Sequence, residues 1–514
     1  MKNIGKKIII LAIVMMLVLS TNAIAIKISN EQKISEKINQ AGLEDLDPNA
    51  DIKVTVSIKQ IRALDEFEKL NGPDFYVKIF ICDNEFQSQI WNDEKYLYGD
   101  PYLFQATENI PDYMENVSIK IQLWDHQIGF DRLCDLSDSL YESYPETYDI
   151  DLIYNTKTGS WDGDDYNYPH SIYADESGYG RVNGCDDNSI YENDRDCELY
   201  FDITQTDTDG DGIPYWTEVN IFGTDPMVND SGRDDDEDGV PIEWEHKWGH
   251  YIGYDWHEDK VEYIWYFDPF KYENHSQMDF DEDGLNNVEE FMMAKWGSDP
   301  FRQDIYLEMD QMEAGPKGEP ASIMPEGAKE LLKDPFHRRN IVYHIDTGQM
   351  GGGEMIPFME SIEWSREGMD EIYDEYFLHG DEDNWRRGVF FYGSILYDAG
   401  FQGYNYRSGA FQISLKCIRD SQKFALTFYG EDMAFASVFM HEHGHALGLN
   451  HIYGHDTDSY YPWQINWWKY RPYKSCMNYG YTYVLVDYSD GSRGKNDMDD
   501  WGTIDLTLFQ EDGD

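Results

Sequence analysis

The segment from His441 to His451 has residue types and a spacing that could bind a metal ion and use it for catalysis. It reads HEHGHALGLNH and fits the pattern HExxHxxGxxH at all five constrained positions. On a helix, His441 and His445 share one face, so both imidazoles can reach one ion. Gly448 has no Cβ and lets the chain leave the helix, so that His451 supplies a third nitrogen. Three histidines and one open position indicate a catalytic zinc site.

Glu442, beside the first histidine, is predicted to be the general base of this site. Zinc lowers the pKa of its bound water to around neutrality, and Glu442 would take that proton and later pass it to the leaving amine. The predicted reaction is therefore hydrolysis of a peptide bond, with hydrolysis of another bond by the same zinc site as a rival. His443 is expected to be exposed or to lie behind the ligands. His455 is an alternative third ligand, although its spacing departs from the pattern.

With this motif, the chain resembles the metzincin clan of zinc endopeptidases, over about residues 301–514. That clan has a methionine-containing turn beneath the metal, and the segment SCMNY ending at Tyr479 looks like that turn. The resemblance implies that Met477 packs under the imidazoles and that Tyr479 contacts the zinc or the reaction oxyanion. Asn478 stands where those branches usually have histidine, and Ile452 fits none of the main branches, so the subfamily stays open. One catalytic zinc and a protein or peptide substrate are implied.

The motif needs elements that position it. Residues 432–440 are mostly apolar and lack Gly and Pro, which predicts a buried helix running into the motif. An α/β arrangement is indicated, with a helix at 325–333 and strands at 304–310, 341–345, 388–397 and 410–418. We expect residues 410–418 to form the sheet edge that pairs with an extended substrate.

Three acidic segments repeat one calcium-binding pattern: the first acidic loop (207–218), the second (234–245) and the third (279–290). Each has carboxylates at positions 1, 3 and 5, Gly at position 6 and Glu at position 12, as in an EF-hand loop. The predicted ligands are Asp207, Asp209, Asp211, Glu218, Asp234, Asp236, Asp238, Glu245, Asp279, Asp281, Asp283 and Glu290. The loops resemble thrombospondin-type calcium repeats of secreted proteins, which implies several structural calcium ions that stiffen a connector. The alternative is a set of acidic surface turns.

The region before these loops alternates apolar and polar residues with period two. Strands are predicted at 52–58, 75–81 and 117–123, and an antiparallel β-sandwich is the natural interpretation. Its loops are similar to those of the C-two type sandwich, which implies calcium-mediated contact with lipid or another surface. The candidate ligands are Asp65, Asp74, Asp125 and Asp131, although Gln127 stands where that family has an aspartate. The alternative is a plain sandwich used for spacing or for carbohydrate and protein contacts.

The start of the chain predicts export. Lysines at 2, 6 and 7 precede the apolar run 8–19, and small residues follow, which indicates a signal peptide cleaved near Ala25. The run is shorter than the roughly twenty residues of a membrane span, although an uncleaved anchor is the alternative. The net charge of −60 excludes nucleic-acid binding by phosphate neutralisation. The oligomeric state is not indicated.

Six cysteines fit an oxidising compartment, and no two of them form a CxxC motif. Sequence alone cannot choose among the 15 ways of pairing six cysteines. If neighbours along the chain pair, the bridges are Cys82–Cys134, Cys185–Cys197 and Cys417–Cys476.

These observations predict a multidomain protein: an N-terminal antiparallel β-sandwich, a connector of calcium loops and a C-terminal α/β (α+β) metzincin-like catalytic domain. The predicted divisions are a signal peptide (1–25), a linker (26–47), the sandwich (48–200), the calcium repeats (201–300) and the protease domain (301–514). The predicted function is that of a secreted zinc endopeptidase stabilised by calcium, which could also be associated with the cell surface. The alternative is a calcium-dependent surface or adhesion protein whose protease-like domain is inactive, against which the intact Glu442 argues.

Overall fold

The computed structural model describes residues 45–65, 67, 72–137, 148–164, 180–185, 195–255, 260–265, 267–362, 366–450, 455 and 459–510. The predicted signal peptide and most of the linker after it lie outside these residues. Within the described ranges, no helix is long and apolar enough to cross a membrane.

The N-terminal part is built from antiparallel strands in two sheets. One sheet has the order β10-β11-β1-β4, with β5 also paired to β1, and the other has the order β3-β2-β6-β8-β9, with β7 also paired to β6. The strands are β1 (Lys53–Ala63), β2 (Phe75–Ile81), β3 (Asn84–Gln87), β4 (Tyr96–Tyr98), β5 (Phe104–Asn109), β6 (Asn116–Gln127), β7 (Phe130–Leu133), β8 (Ile150–Asn155), β9 (Ser160–Gly163), β10 (Gly180–Asn183) and β11 (Cys197–Gln205).

The alternating residues of these strands explain the sandwich. Every second residue of β1 and β6 is apolar and buried, and both sheets contribute to one continuous core, with Val54, Val77, Ile121 and Phe201 among its members. The three strands predicted from the alternation are confirmed as β1, β2 and β6. Strand β11 continues past residue 200, the predicted end of the sandwich, and stops just before the first acidic loop.

Short helical turns and one hairpin accompany the acidic loops. The elements are α1 (Tyr215–Thr217), α2 (Ile242–Trp248), β12 (His250–Asp255), β13 (Lys260–Trp265) and α3 (Asn287–Met293). The apolar residue after the glycine of each loop, Ile213, Val240 or Leu285, is buried. Val240 packs in a small core with Trp244, Trp248 and Phe267. These apolar anchors hold the loops against the rest of the protein.

The C-terminal part is a mixed sheet covered by helices. Its strand order is β15-β14-β17-β19-β18, with β16 also paired to β14, and all pairs are parallel except that of β18 with β19. The elements are β14 (Asp304–Met312), α4 (Glu326–His337), β15 (Val342–Asp346), β16 (Met355–Ile356), α5 (Arg366–Ile372), β17 (Phe390–Leu396), β18 (Gly403–Arg407), β19 (Ala410–Ser414), α6 (Leu415–Ser421), α7 (Lys423–Ala446) and α8 (Ile465–Lys469).

Two expectations about residues 410–418 are wrong. The strand ends at Ser414, and helix α6 begins at Leu415, so the second half of the segment is helical. Strand β19 also lies between β17 and β18 and is fully buried, so it cannot be the edge that receives a substrate. The edge strand is β18, which runs antiparallel to β19.

The predicted disulfide bridges are not formed: all six cysteines, which lie in the described part of the chain, carry thiols. The side chains of Cys134 and Cys197 contact each other, and burial together with this contact raises the pKa of Cys197. The contact arises because Asp135 and Asp196 form a β-bridge, a long-range pairing that neighbour order along the chain does not predict. Cys82 instead lies near Met114, and Cys417 near Asp398.

The sandwich and the C-terminal part meet through a buried cluster of charges. Glu198 of β11 accepts hydrogen bonds from Arg181 and contacts His337 of α4, with 2.6 Å between its Oε2 and the His337 Nδ1. Arg62 of β1 pairs with Glu330 and Asp334 of the same helix, at 2.7 Å each. Helix α4 therefore joins the two parts of the molecule.

Candidate metal centres

The HExxH segment lies on the last turns of α7. Gly430, with φ 87° and ψ 170°, kinks this helix well before the motif, and the predicted helix at 432–440 is part of its second half. His441 and His445 lie one turn apart, with ring centroids separated by 5.0 Å. Gly448 adopts φ 88°, which ends the helix in the left-handed conformation that the sequence predicts.

A third imidazole joins this pair, and it belongs to His455. The Nε2 atoms of His455 and His441 are 3.1 Å apart, and ligand atoms of His441, His445 and His455 lie within 4.8 Å of one another. Two nitrogens bound to one tetrahedral zinc are about 3.3 Å apart, given Zn–N bonds of roughly 2.0–2.1 Å. The donor set and its spacing therefore fit zinc. His451, the third ligand predicted from the motif, lies outside the described residues.

Hydrogen bonds orient two of these rings. His441 donates its Nδ1 proton to the carbonyl of Cys476, and His445 donates its Nδ1 proton to the carbonyl of Leu449, both at 2.8 Å. Each Nε2 is then left with its lone pair, as a metal ligand requires. Burial and the neighbouring imidazoles lower the pKa of His441, so it stays neutral.

Glu442 points away from the imidazoles and towards the edge strand β18. A Cβ on Gly403 would lie 2.6 Å from its Cγ, so the glycine makes room for this side chain. Burial raises the pKa of the Glu442 carboxyl to about 8, although the backbone N–H of Asn405 opposes this by donating a hydrogen bond to it. A carboxyl of this pKa can both accept and return a proton near neutral pH.

The turn around Met477 lies under the helix. The Met477 side chain is buried, and its Sδ would be 2.6 Å from a Cβ on Gly444, between the two histidines of α7. The Tyr479 ring lies stacked on His455, with centroids 4.2 Å apart, and parallel to the Tyr460 ring at 4.9 Å. Tyr479 thus belongs to the wall of the site.

His443 is neither exposed nor close behind the ligands, contrary to expectation. It is fully buried in the core, where its ring packs on Phe391 and Phe411. The Tyr343 hydroxyl lies 3.1 Å from its Nδ1, and burial lowers the pKa of His443 to about 3. A position one residue from a ligand on a helix can face the opposite side, which explains the error.

The three acidic loops have one backbone geometry. In each loop the glycine at position 6 has a positive φ and donates its N–H to the aspartate at position 1, over 2.7 Å in the first, 3.1 Å in the second and 3.0 Å in the third. The glutamates at position 12, namely Glu218, Glu245 and Glu290, are each 1% exposed. Ligand atoms from positions 1, 3 and 5 of the first and second loops lie within 4.8 Å of one another.

These carboxylates lack the partners that buried charges need. Both carboxylate oxygens of Asp209 and of Asp236 are buried without a hydrogen bond, as is one oxygen of Asp281. Burial and the adjacent aspartates raise the pKa of Asp209 and of Asp236 to about 6. The pKa of Glu218 rises to about 8 for the same reasons. Oxygen ligands that are buried, clustered and unpaired fit calcium, and calcium would relieve their repulsion.

Only part of the predicted aspartate set of the sandwich comes together. Asp125 accepts the backbone N–H of Asp74, and Asp74 accepts that of Asp93, a residue that the sequence analysis missed. Asp131 is engaged by the Tyr76 hydroxyl and by His126, and Asp65 accepts the N–H groups of Arg195 and Asp196. Gln127 donates to Asp125 at 2.9 Å, where the C-two type has a carboxylate.

Comparisons with known proteins add little. No family model and no curated protein matches this chain. Among solved structures, it is similar to human GIVD cytosolic phospholipase A2, with 13% identity and a TM-score of 0.18 over 30% of this chain and 16% of that one. It is also similar to a structure of a C2 domain, with 10% identity, a TM-score of 0.19 and coverage of 30% and 98%. A domain of plant Extended Synaptotagmin 1 gives 11%, 0.19, 30% and 95%. We draw no conclusion about fold or function from likenesses of this size.

Proposed function

We propose that this chain is a secreted zinc endopeptidase stabilised by calcium. The observation that carries the proposal is the convergence of three imidazoles, from His441, His445 and His455, next to the buried carboxyl of Glu442. Two neutral, oriented imidazoles and a third facing them make a zinc site with room for a water molecule. His451 stays a prediction as a ligand.

The residues divide the chemistry of peptide hydrolysis among them. Zinc held by the imidazoles would supply a polarised water and stabilise the oxyanion. Glu442 accepts a proton from the attacking water and returns it to the leaving amine, which suits a carboxyl with a pKa of about 8. The carbonyl groups of Cys476 and Leu449 keep His441 and His445 in place by accepting their Nδ1 protons.

The substrate would lie along β18 and add a strand to the sheet. Strand β18 is the edge of the sheet and runs beside α7, and its Gly403 contacts Glu442. An extended peptide that pairs with this edge would bring its backbone carbonyls towards the metal site. This strand takes the role that the sequence analysis gave to residues 410–418.

The acidic loops would bind calcium and hold the sandwich and the catalytic part in register. The third loop reaches the catalytic sheet directly, because the backbone N–H of Asp304 at the start of β14 donates to Asp283 at 2.7 Å. Gln303 also donates to the carbonyl of Asp281. Calcium bound there would order the first strand of the catalytic sheet together with the loop.

The sandwich would make a calcium-mediated contact with a lipid surface. The hairpin between β6 and β7 carries Ile128 and Phe130, which are fully and largely exposed. Asp125 and Asp74 meet near the base of this hairpin. Calcium at those aspartates, with apolar side chains beyond it, would allow an otherwise repelled acidic protein to approach anionic lipid.

Cleavage of a denatured protein mixture tests the catalytic proposal. The mature chain with calcium and zinc should cleave it, and Glu442→Gln should lower the rate by about 10²–10⁴-fold while keeping its zinc. Glu431→Gln is the matched control, because Glu431 lies on the same helix but pairs with Arg419 on the surface. If the folded chain holds zinc and cleaves nothing, the proposal fails and the adhesion alternative is favoured.

A further inference from the structure

The three acidic loops share a contact with a residue that follows the loop. In each loop, the aspartate at position 5 accepts a backbone N–H from a later residue in the chain. The pairs are Asp211 with Asp230 at 3.2 Å, Asp238 with Glu273 at 3.1 Å, and Asp283 with Asp304 at 2.7 Å. The later segment therefore completes the same side of each loop.

In the first and third loops this segment contributes a carboxylate. Ligand atoms of Asp211, Glu218 and Asp230 lie within 4.8 Å of one another. In the third loop, Asp304 lies close enough to Glu290 to raise the pKa of Glu290. Both groups offer oxygen alone, which is the donor set of calcium.

The second loop differs, because the later segment brings an imidazole. The Glu273 carboxylate is occupied by Lys271 and by the backbone N–H of Asp268. His275, two residues on, points its Nε2 at Asp238 Oδ2, 3.1 Å away, and at Glu245 Oε1, 3.7 Å away. Its side chain is fully buried.

Unpaired atoms face each other in this group. Neither the Nε2 of His275 nor the Oε1 of Glu245 has a hydrogen-bond partner. A buried nitrogen and a buried carboxylate oxygen that both lack partners cost free energy unless something lies between them. A cation bound by both atoms would remove that cost.

The neighbour of His275 has a second orientation that favours metal binding. Asn287 places its Nδ2 2.8 Å from the His275 Nδ1, while its own Oδ1 is buried without a partner. Rotating the amide by about 180°, an exchange of two nearly indistinguishable atoms, lets Oδ1 accept the Nδ1 proton. The Nε2 of His275 then carries a lone pair aimed at Asp238 and Glu245.

The ring lies in an apolar wall that keeps water away. Its edge contacts are to Phe267, with centroids 5.2 Å apart, and to Trp244, at 6.1 Å. Both residues are buried in the small core beside the second loop. Excluding water strengthens the bonds between a cation and its protein ligands.

We propose that His275, Glu245 and Asp238 form a second transition-metal site, which takes a zinc-class divalent ion rather than calcium. Imidazole and carboxylate together suit Zn²⁺, Co²⁺ or Mn²⁺, whereas Ca²⁺ takes oxygen ligands. The site stands apart from the catalytic histidines and does not depend on the chain being a peptidase.

Elemental analysis of the full mature chain tests this site. The protein is saturated with zinc in excess calcium, freed of unbound metal and measured for both elements. His275→Asp, which recreates the arrangement of the first loop, should hold one zinc ion fewer per chain and one calcium ion more. Asp230→His makes the reverse exchange in the first loop and should gain one zinc ion.

A second measurement separates this site from the catalytic one. In the variant His441→Ala with His445→Ala, a zinc ion should remain and should leave when His275→Gln is added. Cadmium NMR of the full chain with nitrogen-labelled histidine should then show a coupling that only the His275 substitution removes. Unchanged zinc and calcium contents in His275→Asp, or the absence of that coupling, would overturn the proposal and leave His275 as a hydrogen-bond donor to Asp238.

Discussion

Gly444 and Met477 touch: a Cβ on Gly444 would lie 2.6 Å from the Sδ of Met477. The glycine thus lets the methionine turn lie directly against the helix that carries His441 and His445. The same turn accepts the Nδ1 proton of His441 through the carbonyl of Cys476. Helix and turn therefore position the ligands jointly.

We expect Gly444→Ala to weaken zinc binding and to lower the melting temperature. Alanine at a helix position normally stabilises by about 0.5–1 kcal/mol, but overpacking a core costs about 1–3 kcal/mol. The overpacking should win here. Calorimetry and zinc titration measure both effects, and Gly444→Ala combined with Met477→Ala should recover part of the loss. A single variant as stable as the parent would contradict this contact.

His455→Ala should lower the zinc affinity by at least about tenfold, since a ligand matters at least as much as a residue that merely orients one. Its Nε2 lies 3.1 Å from that of His441. The motif instead assigns the third position to His451, so His451→Ala is the matched comparison. Zinc titration of both variants identifies the ligand, and an unchanged affinity in His455→Ala would exclude it.

Local spacing was enough to predict part of the site. Positions 441, 442 and 445 follow from helix periodicity, and Gly448 from its helix exit, so both are properties of a few consecutive residues. The same holds for the acidic loops, whose carboxylates at positions 1, 3 and 5 have one geometry in all three copies.

Contacts between distant segments could not be predicted in this way. The sheet order that puts β18 rather than β19 at the edge depends on how strands pair across the whole domain. His275 and Asp304 reach the loops from outside them, and Cys134 meets Cys197 through a pairing of remote backbones. No spacing within a loop carries that information.

Asp281→Asn should have opposite effects with and without calcium. One Asp281 oxygen is buried without a partner, and burial with the neighbouring Asp283 and Glu290 raises the pKa of Asp281 well above its usual range. Without calcium, losing the charge relieves repulsion and should raise the melting temperature. With calcium, losing a ligand should lower it.

The control for this experiment is Glu282→Gln, which removes a charge from an exposed residue of the same loop. Its melting temperature should change little in either condition. If Asp281→Asn lowered the melting temperature equally with and without calcium, the third acidic loop would not be a calcium site.

Gly403→Ala should lower kcat at least about tenfold and leave the zinc content unchanged. The new Cβ would lie 2.6 Å from the Cγ of Glu442, so the carboxyl must move. Small displacements of a catalytic group are costly, with about 1 Å worth roughly 10²-fold. Steady-state kinetics with elemental analysis measures the effect, and a fall in zinc instead of in kcat would mean that Gly403 supports the ligands.

Acid should weaken the junction between the sandwich and the catalytic part through His337. Burial lowers the pKa of His337 to about 4, although Glu198 opposes this, whereas the unfolded chain has the usual value of about 6.5. Between pH 6.5 and 4 the unfolded state therefore binds a proton that the folded state does not. Stability should fall as the pH falls through this window, by an amount on the order of 2–3 kcal/mol.

The pKa of Glu198 extends the effect to lower pH. Burial alone would raise it, but Arg181, His337 and Arg62 together hold it at about 2. Protonation of the unfolded state below about pH 4.5 then costs further stability. Melting curves from pH 7 to pH 4 should show a smaller loss in His337→Gln than in the parent chain. Equal losses would mean that His337 does not titrate across this window and that other carboxylates cause the acid sensitivity.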